Sequence, residues 1–355
     1  MTLVNSPLFS HTANELAHNP RVAERDFWTC LLLGQLKKIN AFRHVSMKGS
    51  LTLSKVHALT HRKSRDIDLG IDLGAPFLRG VGSPLDPGIT KSQKHKRARK
   101  LEEESFKFVS SLIYPELRAN LSAVLGNRYK WDLEFQETSN NPIVLFYFQD
   151  TQTSDVLRGH KENTEEKRRH IKLDLGPGSM PSPFILRSIG PYGQGQRPLI
   201  AQRESLVKDI RVLPAGRTFF EKMVGMHALR HSGKVRPYSS RHYYDVAMMA
   251  RQGFLGRVTS ATSALLEEVA HAMDILHRNS KASYKTAKVG TLQIVPTDEL
   301  CNYLKNDYEH VVAPTIVGHR PSFELIMATI ELLERHISPK EPKLIMPLSF
   351  MAART

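Results

Sequence analysis

The chain has 355 residues, enough for one large or two ordinary domains with a sizeable core. With 41% hydrophobic and 24% charged residues it reads as an ordinary soluble globular protein rather than a disordered or fibrous one. Lys and Arg number 50 against 35 Asp and Glu, and the net charge of +15 favours a polyanionic partner (RNA, DNA or an anionic membrane surface), although a basic soluble protein needs none.

Two cysteines, Cys30 and Cys301, make neither a disulfide framework nor a zinc pattern, and the 16 histidines form no His-Glu-x-x-His or Cys/His cluster. The apolar runs at Thr29–Gly34 and Ile143–Phe148 fall far short of the ~18–20 residues that cross a bilayer. The first 20 residues lack the basic and apolar regions of a signal peptide. A reducing cytoplasm is the expected setting.

Residues 1–20 read as a polar lead-in, with Asn19-Pro20 stopping any helix before Arg21. Val22 to Ile39 is predicted as an amphipathic helix with Phe27, Cys30, Leu31, Gly34 and Leu36 as its core stripe, and Arg25-Asp26 as surface charge. Phe42 to Met47 is predicted as a strand. It runs into Lys48-Gly49-Ser50 and Thr52, a small-residue turn able to bring backbone N–H groups against a phosphate. A helix over Leu51–Thr60 would aim its first N–H groups at that turn, and Arg62-Lys63 would add positive charge.

Then comes Asp66-Ile67-Asp68-Leu69. Ile67, Leu69, Ile71 and Leu73 alternate with Asp66, Asp68, Gly70 and Asp72, the pattern of a half-buried strand. On a strand Asp66 and Asp68 project from one face. Two like charges so close repel, and hard carboxylate oxygens are what Mg²⁺ takes. Taken singly, the Asp-x-Asp also reads as a solvated face and Gly-Ser as a plain turn; their order is what suggests nucleotidyl transfer. Ser64 lies two residues before Asp66. Phosphorylation there would add ~1.5–2 negative charges beside the carboxylates and disfavour a triphosphate, an off-switch that full activity in a Ser64→Glu variant would argue against.

Gly80–Pro87 is a Gly/Pro/Ser loop leading into the basic run Lys91–Lys100, then Glu102, Glu103, Glu104 and an apolar helical pattern through Phe106, Val109, Leu112 and Ile113. The basic run reads equally as a solvated helix face or as a contact for phosphate backbone. Strands are predicted at Tyr129–Phe135, Ile143–Phe148 and Arg169–Leu175, with an exposed loop over 149–166. In the last strand Lys172 and Asp174 face away from Ile171, Leu173 and Leu175. Glycine and proline crowd Gly176–Pro198, a domain boundary. Helices follow from Arg217-Thr218-Phe219-Phe220-Glu221-Lys222 and from Arg241-His242-Tyr243-Tyr244-Asp245-Val246, then over 260–277, 297–311 and 322–337, with a loose tail from Pro339. Lys222 projects off its helix's apolar stripe, and Arg241 and Asp245 stand at i, i+4, the spacing of a simple surface ion pair.

Four ordered stretches carry a resemblance: Lys48-Gly49-Ser50, Arg62-Lys63-Ser64-Arg65-Asp66-Ile67-Asp68-Leu69, Arg217–Lys222 and Arg241–Val246. Together they resemble the signature of the AbiEii/AbiGii toxin family, MenT-like members of the polymerase-β-like nucleotidyltransferases. The resemblance implies an α/β (α+β) fold: a catalytic domain with a mixed sheet over 1–200, and a C-terminal helical bundle over 201–355 that supplies Lys222 and Asp245. It makes Asp174 a third carboxylate beside Asp66 and Asp68, Lys222 a ligand of nucleotide phosphates, and Asp245 an active-site residue that orients Lys222 or a nucleotide group. Lys48, Gly49, Ser50, Thr52, Arg62 and Ser64 fall in its nucleotide-binding stretches. Ser50 replaces the family's usual second glycine and Leu51 its usual threonine, which leaves open whether Ser50 or Thr52 meets the phosphate.

The implied activity is transfer of NMP from a nucleoside triphosphate, with one or two Mg²⁺ ions, to the 3′ end of tRNA, so that translation stops. A cognate antitoxin protein is the implied partner. Two alternatives stay open on the sequence: a catalytically weak RNA-binding protein of the same fold, and a transferase with a protein or small-molecule acceptor. The positive charge weighs against a cationic drug as that small molecule.

Overall fold

The paired aspartates lie on a strand in the interior of a sheet in the computed structural model, which describes residues 20–64, 66–137, 141–148, 170–177, 183–192, 206–254 and 259–339. The polar lead-in over 1–19, the loop over 149–166, the boundary at 200/201 and the tail beyond Pro339 lie outside the described residues. The chain divides into two compact units, Met1–Val56 with Ser64–Leu213, and His57–Lys63 with Pro214–Thr355.

In the N-terminal unit, helix α1 (Pro20–Lys38) is buried nearly all round rather than along one stripe. Trp28, Leu31, Leu32, Leu33 and Leu36 are covered, whereas Phe27 and Gly34 are only half-buried. A helix covered on nearly every side belongs inside a core, and Trp28 packs 5.6 Å between ring centroids from both Phe146 and Phe148. Strand β1 (Val45–Lys48) starts later than predicted, because Asn40–His44 makes a 3₁₀ turn in which the Phe42 N–H donates to the Ile39 carbonyl.

Helix α2 (Gly49–Lys55) is two turns long and does not reach Thr60. The backbone beyond it is claimed elsewhere in the C-terminal unit: Lys63 N–H donates to Thr315, the His61 carbonyl accepts from Val317, and Arg62 bridges Ile316. Strand β2 (Asp66–Ile71) follows, then α3 (Lys91–Phe108), a π turn at Val109–Ile113 and α4 (Tyr114–Leu125). Strands β3 (Trp131–Gln136), β4 (Ile143–Phe148), β5 (His170–Gly176), β6 (Ile185–Ile189) and β7 (Val207–Val212) complete one mixed seven-stranded sheet among the described residues. Its order is β3-β4-β5-β2-β1-β7-β6, with β2/β5 and β1/β7 parallel and the other pairs antiparallel.

Neither β6 nor β7 is visible to sequence periodicity. A register shift between Arg187 and Ile189, and a left-handed Asp209 at φ +50°, break the alternation.

The C-terminal unit is helical, as predicted: α5 (Ala215–Ser232), α6 (Ser240–Arg251), α7 (Ser260–His277), α8 (Asp298–Asp307) with a π turn at Tyr308–Val312, and α9 (Phe323–Ile337). Helix α6 packs on α5 and α9, and α5 on α7. Asp307 caps α6 from a distance, accepting from the Tyr238 and Ser240 amides and the Ser240 hydroxyl, while the Ser239 hydroxyl at the N-cap accepts from the Arg236 amide and makes no bond to the helix. The α/β architecture with a mixed sheet is therefore as the sequence led us to expect.

Candidate active site

Asp66 and Asp68 project from one face of β2, while Ile67 and Leu69 on the other face are buried. The parallel neighbour β5 sets Lys172 beside Asp66 and Asp174 beside Asp68. Paired residues in a sheet share a face, so three carboxylates and one ammonium stand together. Lys172 Nζ lies 3.6 Å from Asp66 Oδ2 and 3.3 Å from Asp174 Oδ2. Asn141 Nδ2 donates to Asp174 Oδ1 at 2.9 Å. Burial disfavours the Lys172 ammonium, but Asp66, Asp174 and Asp68 outweigh it and hold its pKa above the usual lysine value. Sequence reading put Lys172 and Asp174 on the same side of their strand; it did not identify Lys172 or Asn141 as members of this cluster.

The turn before α2 adjoins this face. Lys48 pairs with Asp68 across β1 and β2. Gly49 follows at φ +74°, and a Cβ there would overlap the Asp68 carboxylate. Only glycine meets both demands. Ser50 is buried, and the Thr52 hydroxyl, wholly buried, donates to the Gly49 carbonyl at 2.7 Å. Ser64 donates its hydroxyl to the Asp66 carbonyl at 2.9 Å.

Helix α2 is too short to hold itself, and a buried ion pair secures it: Lys55 Nζ meets Asp26 Oδ1 at 2.5 Å. The Tyr192 amide donates to the other Asp26 oxygen, and the Tyr192 ring lies 3.7 Å from the Lys55 nitrogen. Asp26 is thus no surface charge; it ties the turn's helix to α1. Burial opposes the charge on Lys55, yet Asp26 more than restores it and the pKa rises. Nothing in the spacing of Asp26 and Lys55, 29 residues apart, signals this contact.

In the C-terminal unit, Arg62 clasps Asp245 with two bonds of 2.7 Å and donates to the Tyr238 hydroxyl at 3.1 Å. Lys222 Nζ reaches Asp245 Oδ2 at 2.9 Å. All three side chains are buried, Asp245 completely. Lys222 is therefore no surface lysine: α5 is covered on most sides, and Arg217, Lys222 and His227 lie inside with its apolar residues. The sequence expectation that Arg62 faces a triphosphate meets a guanidinium committed to Asp245 and Tyr238. Arg241, four residues before Asp245, donates to the Tyr238 carbonyl at 2.7 Å.

Two cations share one carboxylate here. Burial pushes the Asp245 pKa up, but Arg62 and Lys222 outweigh it and hold the carboxyl well below its ordinary range. The cations diverge: burial is offset by Asp245 for Arg62, whose pKa rises, whereas burial and the Arg62 charge together leave Lys222 lowered. Geometrically Arg62 meets Asp245 as a two-bond fork and Lys222 meets it at one oxygen. His242 Nδ1 is buried and has no hydrogen-bond partner among the described residues.

A family model described as nucleotidyl transferase AbiEii toxin, type IV toxin–antitoxin system, matches residues 31–328. The chain belongs to that family. The AbiEii membership makes it a nucleotidyltransferase toxin of a toxin–antitoxin system, with a nucleoside triphosphate as substrate and an antitoxin as counterpart. No curated protein sequence matches the chain. Among solved structures it is similar to the nucleotidyltransferase toxin MenT4 from Mycobacterium tuberculosis, at 10% identity and a TM-score of 0.44 over 82% of this chain and 78% of that one. A likeness so distant adds nothing to the reading of the site. No helix among the described residues is long and apolar enough to cross a membrane.

Proposed function

We propose that this AbiEii toxin transfers NMP from a nucleoside triphosphate to an RNA 3′ hydroxyl, with tRNA as the first candidate acceptor, in the cytoplasm. Supporting this is one observation above others: Asp66, Asp68 and Asp174 share a face of two adjacent parallel strands.

Their fit to Mg²⁺ is one of chemistry. Three hard carboxylates of one sign stand on a half-buried surface and draw in a cation, Lys172, to two of them. As they stand the side chains do not close around a common point, and no group of three or more acidic, histidine or cysteine residues among the described residues does so. Release of Asp66 and Asp174 from Lys172 would be needed. Asp66, Asp68 and Asp174 would then hold the ion. When bound, Mg²⁺ neutralises the triphosphate and lowers the pKa of the attacking hydroxyl.

The remaining parts are the chain's own. The Gly49–Ser50 turn, left-handed at Gly49 and pressed against Asp68, would receive a phosphate oxygen. Lys48, paired with Asp68 across β1 and β2, would offset phosphate charge; within the C-terminal unit, Asp245, itself held by Arg62, fixes where Lys222 points. In the reaction the acceptor oxygen bonds to the α-phosphorus, the α–β anhydride bond breaks, pyrophosphate leaves with its electron pair, and the acceptor's proton passes to solvent.

The test is an incubation of the protein with total tRNA, Mg²⁺ and each α-labelled NTP in turn. Label should enter tRNA with at least one NTP and should be lost in Asp66→Ala and Asp174→Ala. Label in added protein instead of RNA would replace the acceptor. Retained transfer in Asp66→Ala would sink the carboxylate assignment.

A further inference from the structure

The Lys172 ammonium sits where the proposed metal charge would act. It is the residue paired with Asp66 across β2 and β5, and it stands two residues before Asp174 on the same face. Its Nζ reaches an oxygen of each. Asp174 is engaged on both oxygens, Oδ1 by Asn141 and Oδ2 by Lys172. The Asn141 side chain lies directly over Gly176, where a Cβ would overlap it. Of the two bonds on Asp174, the one to a flexible lysine is the one that can be given up.

We propose that Lys172 is a resident counter-cation of the acidic face: it competes with a divalent ion for Asp66 and Asp174, and so sets how tightly the protein takes up metal. The inference rests on the carboxylate reading above. A lysine beside three carboxylates lowers their repulsion, which lets the acidic face persist without an ion. The same charge opposes an incoming cation until the lysine swings off. Once displaced, the ammonium keeps its place on the same face through its strand position, where it is available to a polyanionic substrate. Lys172 thereby acts as a positioning residue: it works through the carboxylates rather than on the reacting atoms.

The experiment is a Mn²⁺ titration of the full chain without nucleotide, followed by the loss of the free-ion EPR signal. Wild type is compared with Lys172→Met, Lys172→Gln, Lys172→Arg and Asp68→Asn, each first shown to keep the wild-type far-ultraviolet circular dichroism. Lys172→Met and Lys172→Gln should each bind Mn²⁺ about tenfold more tightly, the change expected on removing one competing charge. Lys172→Arg, which keeps the cation, should stay near wild type. Loss of binding in Asp68→Asn shows that the titrated ion is on the acidic face. If Asp68→Asn loses Mn²⁺ but neither neutral variant tightens it, the carboxylate site stands and the competition is overturned. If Asp68→Asn binds as well as wild type, or no variant binds at all, the carboxylate reading fails and this inference goes with it.

Discussion

At the scale of single residues, Gly49 and Asp68 occupy one another's space. The turn needs φ near +74° and the carboxylate lies where a side chain would begin, so two separate requirements meet at one position. Gly49→Ala should cost about 1–2 kcal/mol from the left-handed backbone alone. It should also push Asp68 off its place, so nucleotide transfer should fall much further than stability does. Urea unfolding and the transfer assay measured side by side would separate the two losses; a variant equally impaired in both would make Gly49 a purely structural residue. The glycine was readable from the sequence as a turn. Its contact with Asp68 was not, because that depends on the antiparallel register that sets Lys48 opposite Asp68.

Among the elements, α5 shows what sequence periodicity hides. Its apolar positions repeat at helical spacing, yet Arg217, Lys222 and His227 are buried as well, each with a partner from another segment. His227 joins α5 to the segment after α7: Nδ1 accepts from the Gln293 amide, which leaves Nε2–H to donate to the Ser283 carbonyl. That arrangement needs a neutral ring. Burial and the neighbouring His231 push its pKa down to about 4, below the ~6.5 of an unfolded histidine. As pH falls through that window the unfolded chain takes the proton first, so His227's contribution is present above pH ~6.5 and drains away toward pH 4. The urea midpoint should therefore drop on going from pH 7.5 to pH 5, and drop less in His227→Asn, which has no ring to protonate. Equal slopes in the two proteins would remove His227 from the account.

Over the whole molecule, the +15 charge is the broadest feature and the least specific. Part of the basic run is used internally: Arg97 on α3 binds Asp86 at 2.6 Å and the Ser83 carbonyl. Lys96, Arg99 and Lys100 are exposed. Helix α3 also begins with no acidic residue in its first turn, so lysines stand at the end where the helix dipole is already positive. On the RNA-acceptor proposal, affinity for RNA should fall steeply with salt. Reversing Lys96, Arg99 and Lys100 together to Glu should lower the log–log slope by about 2, at roughly 0.7–0.9 per phosphate contact. Anisotropy titrations at several salt concentrations would show this, and an unchanged slope would return α3 to ordinary solvated surface.

Period-2 alternation over Asp66–Ile71 and over His170–Gly176 specified both acidic strands, because a half-buried strand writes its two faces into the chain. The same holds for the helices from Ala215 onward, whose apolar spacing marks them as helices whatever they pack against. Four ordered motifs were enough to point to the family. Tertiary structure alone decided the pairings: Lys55 with Asp26, Arg62 and Lys222 with Asp245, Lys172 with two aspartates. A charged side chain looks the same in sequence whether it faces water or a buried partner, and the partners of Lys55 and Asp245 lie from 23 to 183 residues away. Local pattern carries secondary structure because neighbours in the chain are neighbours in space; which distant charges meet is fixed only when the strands take their register and the helices close over one another.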